Sequence, residues 1–134
     1  MTTTKSRSVP ADEVDVPRLG QLLVESAKDD RDRAAAQALA EEEELLTHPG
    51  VRAALVERVD GRMTCRWEGL SGRLYTLGLD DEQRAFLGLV LSMVGIGSHT
   101  ISAVPDLDDR RLAIILRAIL RLAGSDRIAV GTRL

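Results

Sequence analysis

Residues 106–124, "DLDDRRLAIILRAILRLAG", decide how the second half of this chain is interpreted. Three carboxylates open the segment, and arginines are interspersed with leucine, isoleucine and alanine through the rest of it. Its apolar residues recur at helical spacing, at Leu112, Ile115, Ile119 and Leu122. This spacing predicts a helix with one buried side. The question is then whether its arginines face a nucleic acid or are only solvated.

The composition favours a mainly α fold, a helical domain with a short β-hairpin. The chain has 134 residues, about the length of one domain. Hydrophobic residues make up 44% of it but aromatic residues only 2%, so aliphatic side chains must form the core, which is typical of packed helices. The net charge is −3, and the acids concentrate in the first fifty residues. A surface that faces DNA would therefore have to come from the rest of the chain.

The first part of the chain combines a polar tail with helices. Residues 1–13 are predicted to be a disordered tail, and residues 14–134 a single domain whose N-terminal helices occupy 14–60. Asp15 is placed to cap the first helix. The charged run "KDDRDR" then leaves two alternatives for residues 16–47: one long helix, or two with a break near Asp30.

The middle of the chain predicts a short helix, two strands and a central helix. Thr47 is placed to cap a helix that runs to Asp60–Gly61. Residues 62–78 are interpreted as two short strands around "EGLSG". Asp80 and Gln83 have capping-box spacing before a nearly all-apolar segment, which predicts a buried helix.

The second half then presents a buried helix, a glycine turn, a short segment that ends at Pro105, the arginine-bearing helix, and a strand-like "RIAV" at 127–130. This order resembles the winged helix-turn-helix of small bacterial regulators over residues 79–130, so 79–134 is interpreted as a winged-helix-like part. In that family the last long helix is the recognition helix, and the strand after it begins the wing.

The resemblance implies that arginines contact double-stranded DNA, at Arg110, Arg111, Arg117 and Arg127. Lys and Arg supply most of the affinity of such complexes by neutralising phosphates. Asp108 and Asp109 would oppose the same phosphates. The alternative is that these acids cap the helix while the arginines form a solvated or protein-facing side.

A protein partner is the competing interpretation: an interaction adaptor, or a subunit of a larger assembly. Leucines of the 16–47 segment have little else to cover them and are predicted to form a homodimer interface, at Leu19, Leu23, Leu39 and Leu46. Glu41 and Glu43 of the "EEEE" run could face a basic partner, or could lie on a solvated helix side. The sequence also leaves open whether the acidic region folds back over the arginines.

No residue pattern indicates catalysis, a cofactor or a metal, so the chain is predicted not to be an enzyme. Cys65 is interpreted as a small apolar filler. Glu44 and His48 have i,i+4 spacing but lack a third ligand, and Ser98 with His99 does not form a dyad by adjacency alone.

The cellular location is predicted from the targeting and membrane segments that the sequence lacks. The opening "MTTTKSRSVP" is polar where a signal peptide is apolar, and no apolar run reaches about 20 residues. A lone cysteine also suits a reducing compartment. We therefore expect a cytoplasmic protein with no membrane partner.

Overall fold

The computed structural model of the chain describes residues 14–97 and 101–133. The predicted tail over 1–13 and residues 98–100 lie outside this part. Its helices and strands are α1 (Val16–Glu25), α2 (Asp30–Glu42), α3 (Glu44–Thr47), α4 (Pro49–Leu55), β1 (Val56–Val59), β2 (Arg62–Cys65), α5 (Asp81–Met93) and α6 (Asp109–Ala123), with 3₁₀ helices at Trp67–Leu70 and Ile101–Asp106. The mainly α fold with a short β-hairpin is confirmed.

The first apolar segment forms two helices rather than one. The Asp15 carboxylate caps α1, as predicted, by accepting a hydrogen bond from the Arg18 N–H at 3.2 Å. Helix α1 ends at Glu25, and the Asp29 carboxylate starts α2 by accepting from the Asp32 N–H at 2.8 Å. The break therefore lies between these two residues, as in the two-helix alternative.

Two further helix ends follow within a few residues. Glu43 adopts a positive φ of 69°, which ends α2 before the single turn of α3. The predicted cap of α4 is wrong by one residue, because Thr47 is the last residue of α3. The imidazole of His48 caps α4 instead, since its Nδ1 accepts from the N–H groups of Gly50 at 3.1 Å and Val51 at 3.3 Å.

The β-hairpin lies earlier in the chain than the sequence predicted. Helix α4 ends at Leu55 rather than at residue 60, and β1 follows it at once. The antiparallel register pairs Val56 with Cys65 and Val59 with Arg62. Asp60 and Gly61 have φ values of 51° and 78°, the positive values that a two-residue hairpin turn of type I′ requires. The prediction of both strands within 62–78 is therefore wrong, and "EGLSG" follows the hairpin.

The 3₁₀ helix after the hairpin packs closely on α4 and α2. Gly69 lies so near α4 that an added Cβ would be 2.0 Å from the Ala54 carbonyl oxygen. The indole N–H of buried Trp67 donates to the Asp32 carboxylate at 2.8 Å. These contacts join the segment after the hairpin to the helical core.

Helix α5 is the buried central helix that the sequence predicted. Asp80 and Gln83 form the capping box, with each side chain accepting from the other residue's N–H at 2.7 and 3.1 Å. Most of the helix is buried, including Phe86, Leu87 and Val90, and it shares one core with residues of α1, α2 and α6.

The second half follows the predicted order up to the end of α6. The Asp108 carboxylate caps α6 through the Arg111 N–H at 2.8 Å, and Gly124 ends it with a φ of 70°. The strand predicted over 127–130 is wrong, because residues 125–133 form neither helix nor strand. A strand needs a hydrogen-bonding partner, and within the described residues β1 pairs with β2 alone.

Candidate functional site

Helix α6 has three sides of different composition. Its buried side consists of Arg111, Ile114, Ile115 and Ala118. The predicted inward stripe is therefore correct at Ile115 and at Leu122, which packs partly buried against the core. It is wrong at Leu112, which does not pack against the core, and at Ile119, which is 43% exposed. The helix is rotated so that Ile114 and Ala118 take the core positions.

The second side carries arginines that face the end of α2. Arg117 and Arg121 both bind the Glu41 carboxylate, at 3.0 and 2.7 Å. Arg110 donates to the backbone oxygen of Glu42 at 3.0 Å. The arginines of α6 and the "EEEE" run thus contact each other, and we call this contact the Arg–Glu seam: Arg110, Arg111, Arg117 and Arg121 with Glu41, Glu42 and Glu44.

The most buried ion pair of the seam joins Arg111 to Glu42. The guanidinium Nη2 lies 2.8 Å from Glu42 Oε2, and the two side chains are 5% and 0% exposed. Arg111 also contacts Glu44 at 2.6 Å and Asp108 at 2.9 Å. The other Glu42 oxygen accepts from the Leu45 N–H at 2.8 Å, so both oxygens of this buried carboxylate are hydrogen-bonded.

The seam shifts the titration of two of its members. Burial alone would lower the pKa of Arg111, but the hydrogen bond and charge of Glu42, with the charges of Asp108 and Glu44, raise that pKa above its ordinary value. Burial would likewise raise the pKa of Glu41, but hydrogen bonds from Arg121 and Arg117 lower it below its ordinary value. Both groups are therefore held in their charged forms.

The four arginines predicted to contact DNA differ in their exposure and in their partners. Arg111 is buried inside the seam, where its guanidinium does not reach the surface. Arg110 and Arg117 are partly exposed but already face carboxylates. Arg127 is exposed beyond the end of α6.

The predicted partner-binding residues are also divided. The expectation that four leucines lie uncovered is wrong, since the chain's own core buries Leu19, Leu23, Leu39 and Leu46 to 1% exposure or less. They present no surface to a second copy, because α1 and α2 pack on each other and on the other helices. Glu41 belongs to the seam, while Glu43 is exposed at the positive-φ break after α2.

The third side of α6 is apolar and faces outward. We call it the α6 apolar face: Leu112, Ala113, Leu116, Ile119, Leu120 and Ala123, all at least partly exposed. Its five residues from Leu112 to Leu120 belong neither to the core nor to the partly buried residues that pack against it. Sequence reasoning missed this face, although Leu112, Leu116 and Leu120 recur every four residues.

A cleft of about 560 Å³ lies between α1 and the hairpin. Arg18 and Arg62 line it together with the carboxylates of Asp15 and Glu25. Asp15 serves as the α1 cap, and Arg62 donates to the backbone oxygen of Glu25 at 3.1 Å. Its charged groups are thus mixed in sign and partly engaged in local structure.

The candidate reactive side chains that the structure describes, Cys65 and His48, have structural roles. Cys65 is buried, and burial, followed by the charge of Asp32, raises the pKa of its thiol. The Nδ1 of His48 is occupied in the α4 cap, and His99 lies outside the described residues. Within 14–97 and 101–133, no cluster of three His, Cys, Asp or Glu side chains could hold a metal ion. None of the helices described there is long and apolar enough to span a membrane.

Comparison of the chain with protein-family models, curated proteins and solved structures finds no match in any of the three. The resemblance of residues 79–130 to winged-helix regulators stays a prediction.

Proposed function

We propose that this protein is a small, non-enzymatic, cytoplasmic interaction protein whose α6 apolar face binds another polypeptide. The observation that carries the proposal is the exposure of large aliphatic side chains in mid-helix, 41% for Leu116 and 43% for Ile119. Single exposed hydrophobic residues are ordinary, but a contiguous apolar stripe along one helix is typical of an interface. Helix α6 has 15 residues, so the stripe extends over about 20 Å.

The Arg–Glu seam favours a protein partner over DNA. DNA binding gains its affinity when arginines neutralise phosphates and release counterions. Arg110 and Arg117 already have carboxylates within 4 Å, so a phosphate would have to displace them. The same carboxylates would also repel the DNA backbone.

The use of the candidate reactive groups in the fold supports a non-enzymatic role. Cys65 lies in β2 with a buried thiol, and a thiol with a raised pKa is a poor nucleophile at neutral pH. His48 accepts two backbone hydrogen bonds through Nδ1, so the lone pair of that nitrogen is already used in the α4 cap.

The test is a photo-crosslinking residue placed at Leu116 in the full chain, expressed in its own cells. The matched control carries the same residue at Val59, which is 44% exposed but lies on the hairpin. We expect polypeptide adducts, identified by mass spectrometry, in higher yield at position 116 than at 59. Equal, background yields at both positions would overturn the proposal.

A second measurement addresses DNA directly. Fluorescence anisotropy with mixed-sequence duplex DNA, at low and at physiological salt, should give no binding that depends on Arg110 and Arg117. Binding that falls steeply with salt, and that the double variant Arg110→Ala/Arg117→Ala loses, would replace this proposal with the DNA-binding function.

A further inference from the structure

We infer that the break between α2 and α3 is a strained hinge which the arginines of α6 hold in place, and that without them α2 continues as one helix through Glu43 to Thr47. The break lies at Glu43, whose φ of 69° and ψ of −39° fall outside the regions that residues with a side chain favour. The hinge does not rest on the proposed function of the α6 apolar face, so each can fail without the other.

The local sequence gives no reason for a break at this position. Residues 34–46 consist of alanine, glutamine, glutamate and leucine alone, and these residues have high helix propensity. The buried residues also keep one helical spacing across the break, since Leu39, Glu42 and Leu46 lie three and four positions apart and are at most 1% exposed. A continuous helix would therefore keep these three residues on one side, and their burial does not by itself require the break.

Helix α6 supplies the hydrogen bonds that the break removes. In a continuous helix the Leu45 N–H would donate to the backbone oxygen four residues earlier, and the Glu42 oxygen would accept from the N–H four residues later. Instead, the Leu45 N–H donates to the Glu42 carboxylate at 2.8 Å, and the Glu42 backbone oxygen accepts from Arg110 at 3.0 Å. Arg111 fixes that carboxylate by binding its other oxygen at 2.8 Å. Both replacements thus depend on two consecutive arginines of α6.

The hinge couples the first turn of α6 to the position of α3 and α4. A positive φ at a residue with a Cβ is unfavourable, and it persists only where the surrounding contacts maintain it. The contacts from Arg110 and Arg111 do so at Glu43. When the first turn of α6 is drawn away, these contacts are lost, and the preference of residues 34–46 for one helix redirects the chain that follows. The result is an element with two states, and α6 selects the broken one.

The first experiment compares glycine with alanine at position 43 in two backgrounds, by urea denaturation of the full chain. Glycine tolerates a positive φ, but inside a helix it is less favourable than alanine. In the otherwise wild-type chain, Glu43→Gly should have a urea midpoint about 0.5 M above that of Glu43→Ala. The second background is Glu42→Leu/Arg111→Leu, which removes the ion pair and leaves no buried unpaired charge. There the order of the two midpoints should reverse.

Asp60 provides the matched control. Among the described residues, Glu43 and Asp60 are the two that combine a side chain with a positive φ, and Asp60 lies in the hairpin turn with a φ of 51°. The midpoint of Asp60→Gly should exceed that of Asp60→Ala by the same margin in both backgrounds. A reversal at position 60 as well as at 43 would reflect a general loosening of the fold and would overturn the inference.

The second experiment observes the hinge directly by NMR of the full chain. A positive φ brings the amide and α protons of a residue close together, so residue 43 should show a strong intraresidue NOE in the wild type that weakens in Glu42→Leu/Arg111→Leu. If that variant does not fold, Arg111→Lys replaces it in both experiments. Lysine keeps the charge but lacks the fork that binds Glu42 through two nitrogens, so the advantage of glycine at position 43 should fall by at least half.

Each outcome decides for or against the hinge. A reversed or halved advantage of glycine at position 43, with no change at position 60, supports it. An advantage at position 43 that is the same in every background, or an NOE that persists at full strength, overturns it, because the rest of the core then holds the break. Equal midpoints of Glu43→Gly and Glu43→Ala in the wild-type background would show that Glu43 is not strained, and this result also overturns the inference.

Discussion

Replacement of Arg111 by leucine should destabilise the protein by about 3 kcal/mol, the lower end of the cost of breaking a buried ion pair. The substitution removes the guanidinium that binds Glu42 Oε2 through two nitrogens, at 2.8 and 3.0 Å. The Glu42 side chain is fully buried, so water cannot replace these bonds. The Leu45 N–H remains, as does Arg110 at 3.6 Å, which keeps the cost at the low end of the range.

The reverse substitution should cost less. In Glu42→Leu, Arg111 keeps Glu44 at 2.6 Å and Asp108 at 2.9 Å, and both of these carboxylates reach solvent. The main loss is the acceptor for the Leu45 N–H, which costs about 1–2 kcal/mol for a buried donor left without a partner. The double variant leaves two leucines in contact and no buried unpaired charge. It should therefore be more stable than Arg111→Leu alone.

Urea denaturation followed by Trp67 fluorescence measures these differences, because Trp67 is the single tryptophan and is buried. Arg117→Leu is the control on the same helix, since its partly exposed pair with Glu41 should contribute at most about 1 kcal/mol. A cost below that of the control for Arg111→Leu would refute the reasoning. So would a double variant in which the two single costs simply add.

Three further outcomes follow from the structure. Glu41→Gln should flatten the acid limb of stability, because a carboxyl with a lowered pKa stabilises the fold above its ordinary value of 4.5 and loses that contribution as pH falls through the folded-state pKa; urea midpoints at successive pH values measure this. Gly69→Ala should cost about 2 kcal/mol or more, since its Cβ would meet the Ala54 oxygen at 2.0 Å, whereas Gly131→Ala, with open space around it, should leave the midpoint unchanged. Cys65 should resist iodoacetamide in the folded protein and react once urea unfolds it; mass spectrometry that finds rapid alkylation of the native protein would contradict its burial.

The starts of α1 and α5 could be predicted because they depend on neighbouring residues. Asp15 caps α1, and Asp80 with Gln83 forms the capping box of α5. In each case the carboxylate accepts from a backbone N–H three residues later, so the residues involved are visible together in the sequence.

The hairpin could not be placed from local pattern alone. "VRAALVER" continues the helical spacing from α4, and Asp60–Gly61 is compatible with a helix end as well as with a type I′ turn. The structure ends α4 at Leu55, and Met63 and Cys65 of β2 are buried in the core. Tertiary burial decided between two local possibilities, which a single segment of sequence cannot do.

The seam and the orientation of α6 depend on residues far apart in the chain. Arg111 and Glu42 are separated by 69 positions, so neither segment signals the pair by itself. The apolar residues of α6 also cover more than one side of the helix. Ile119 and Ile114 are thus equally plausible core residues in sequence, and only packing against α2 and α5 selects Ile114.

The seam also explains why the α6 apolar face stays at the surface of a single chain. Burying Leu116 in place of Ile115 would need a rotation of α6 by about 100°, the angle between successive residues. That rotation would draw Arg117 and Arg121 away from Glu41 and would expose the side chains that now fill the core. The arginines that resembled a DNA-binding surface therefore fix the orientation of the helix. Within the described residues nothing covers an apolar face held outward in this way, so the strength of any association through α6 would depend on ion pairs inside the chain.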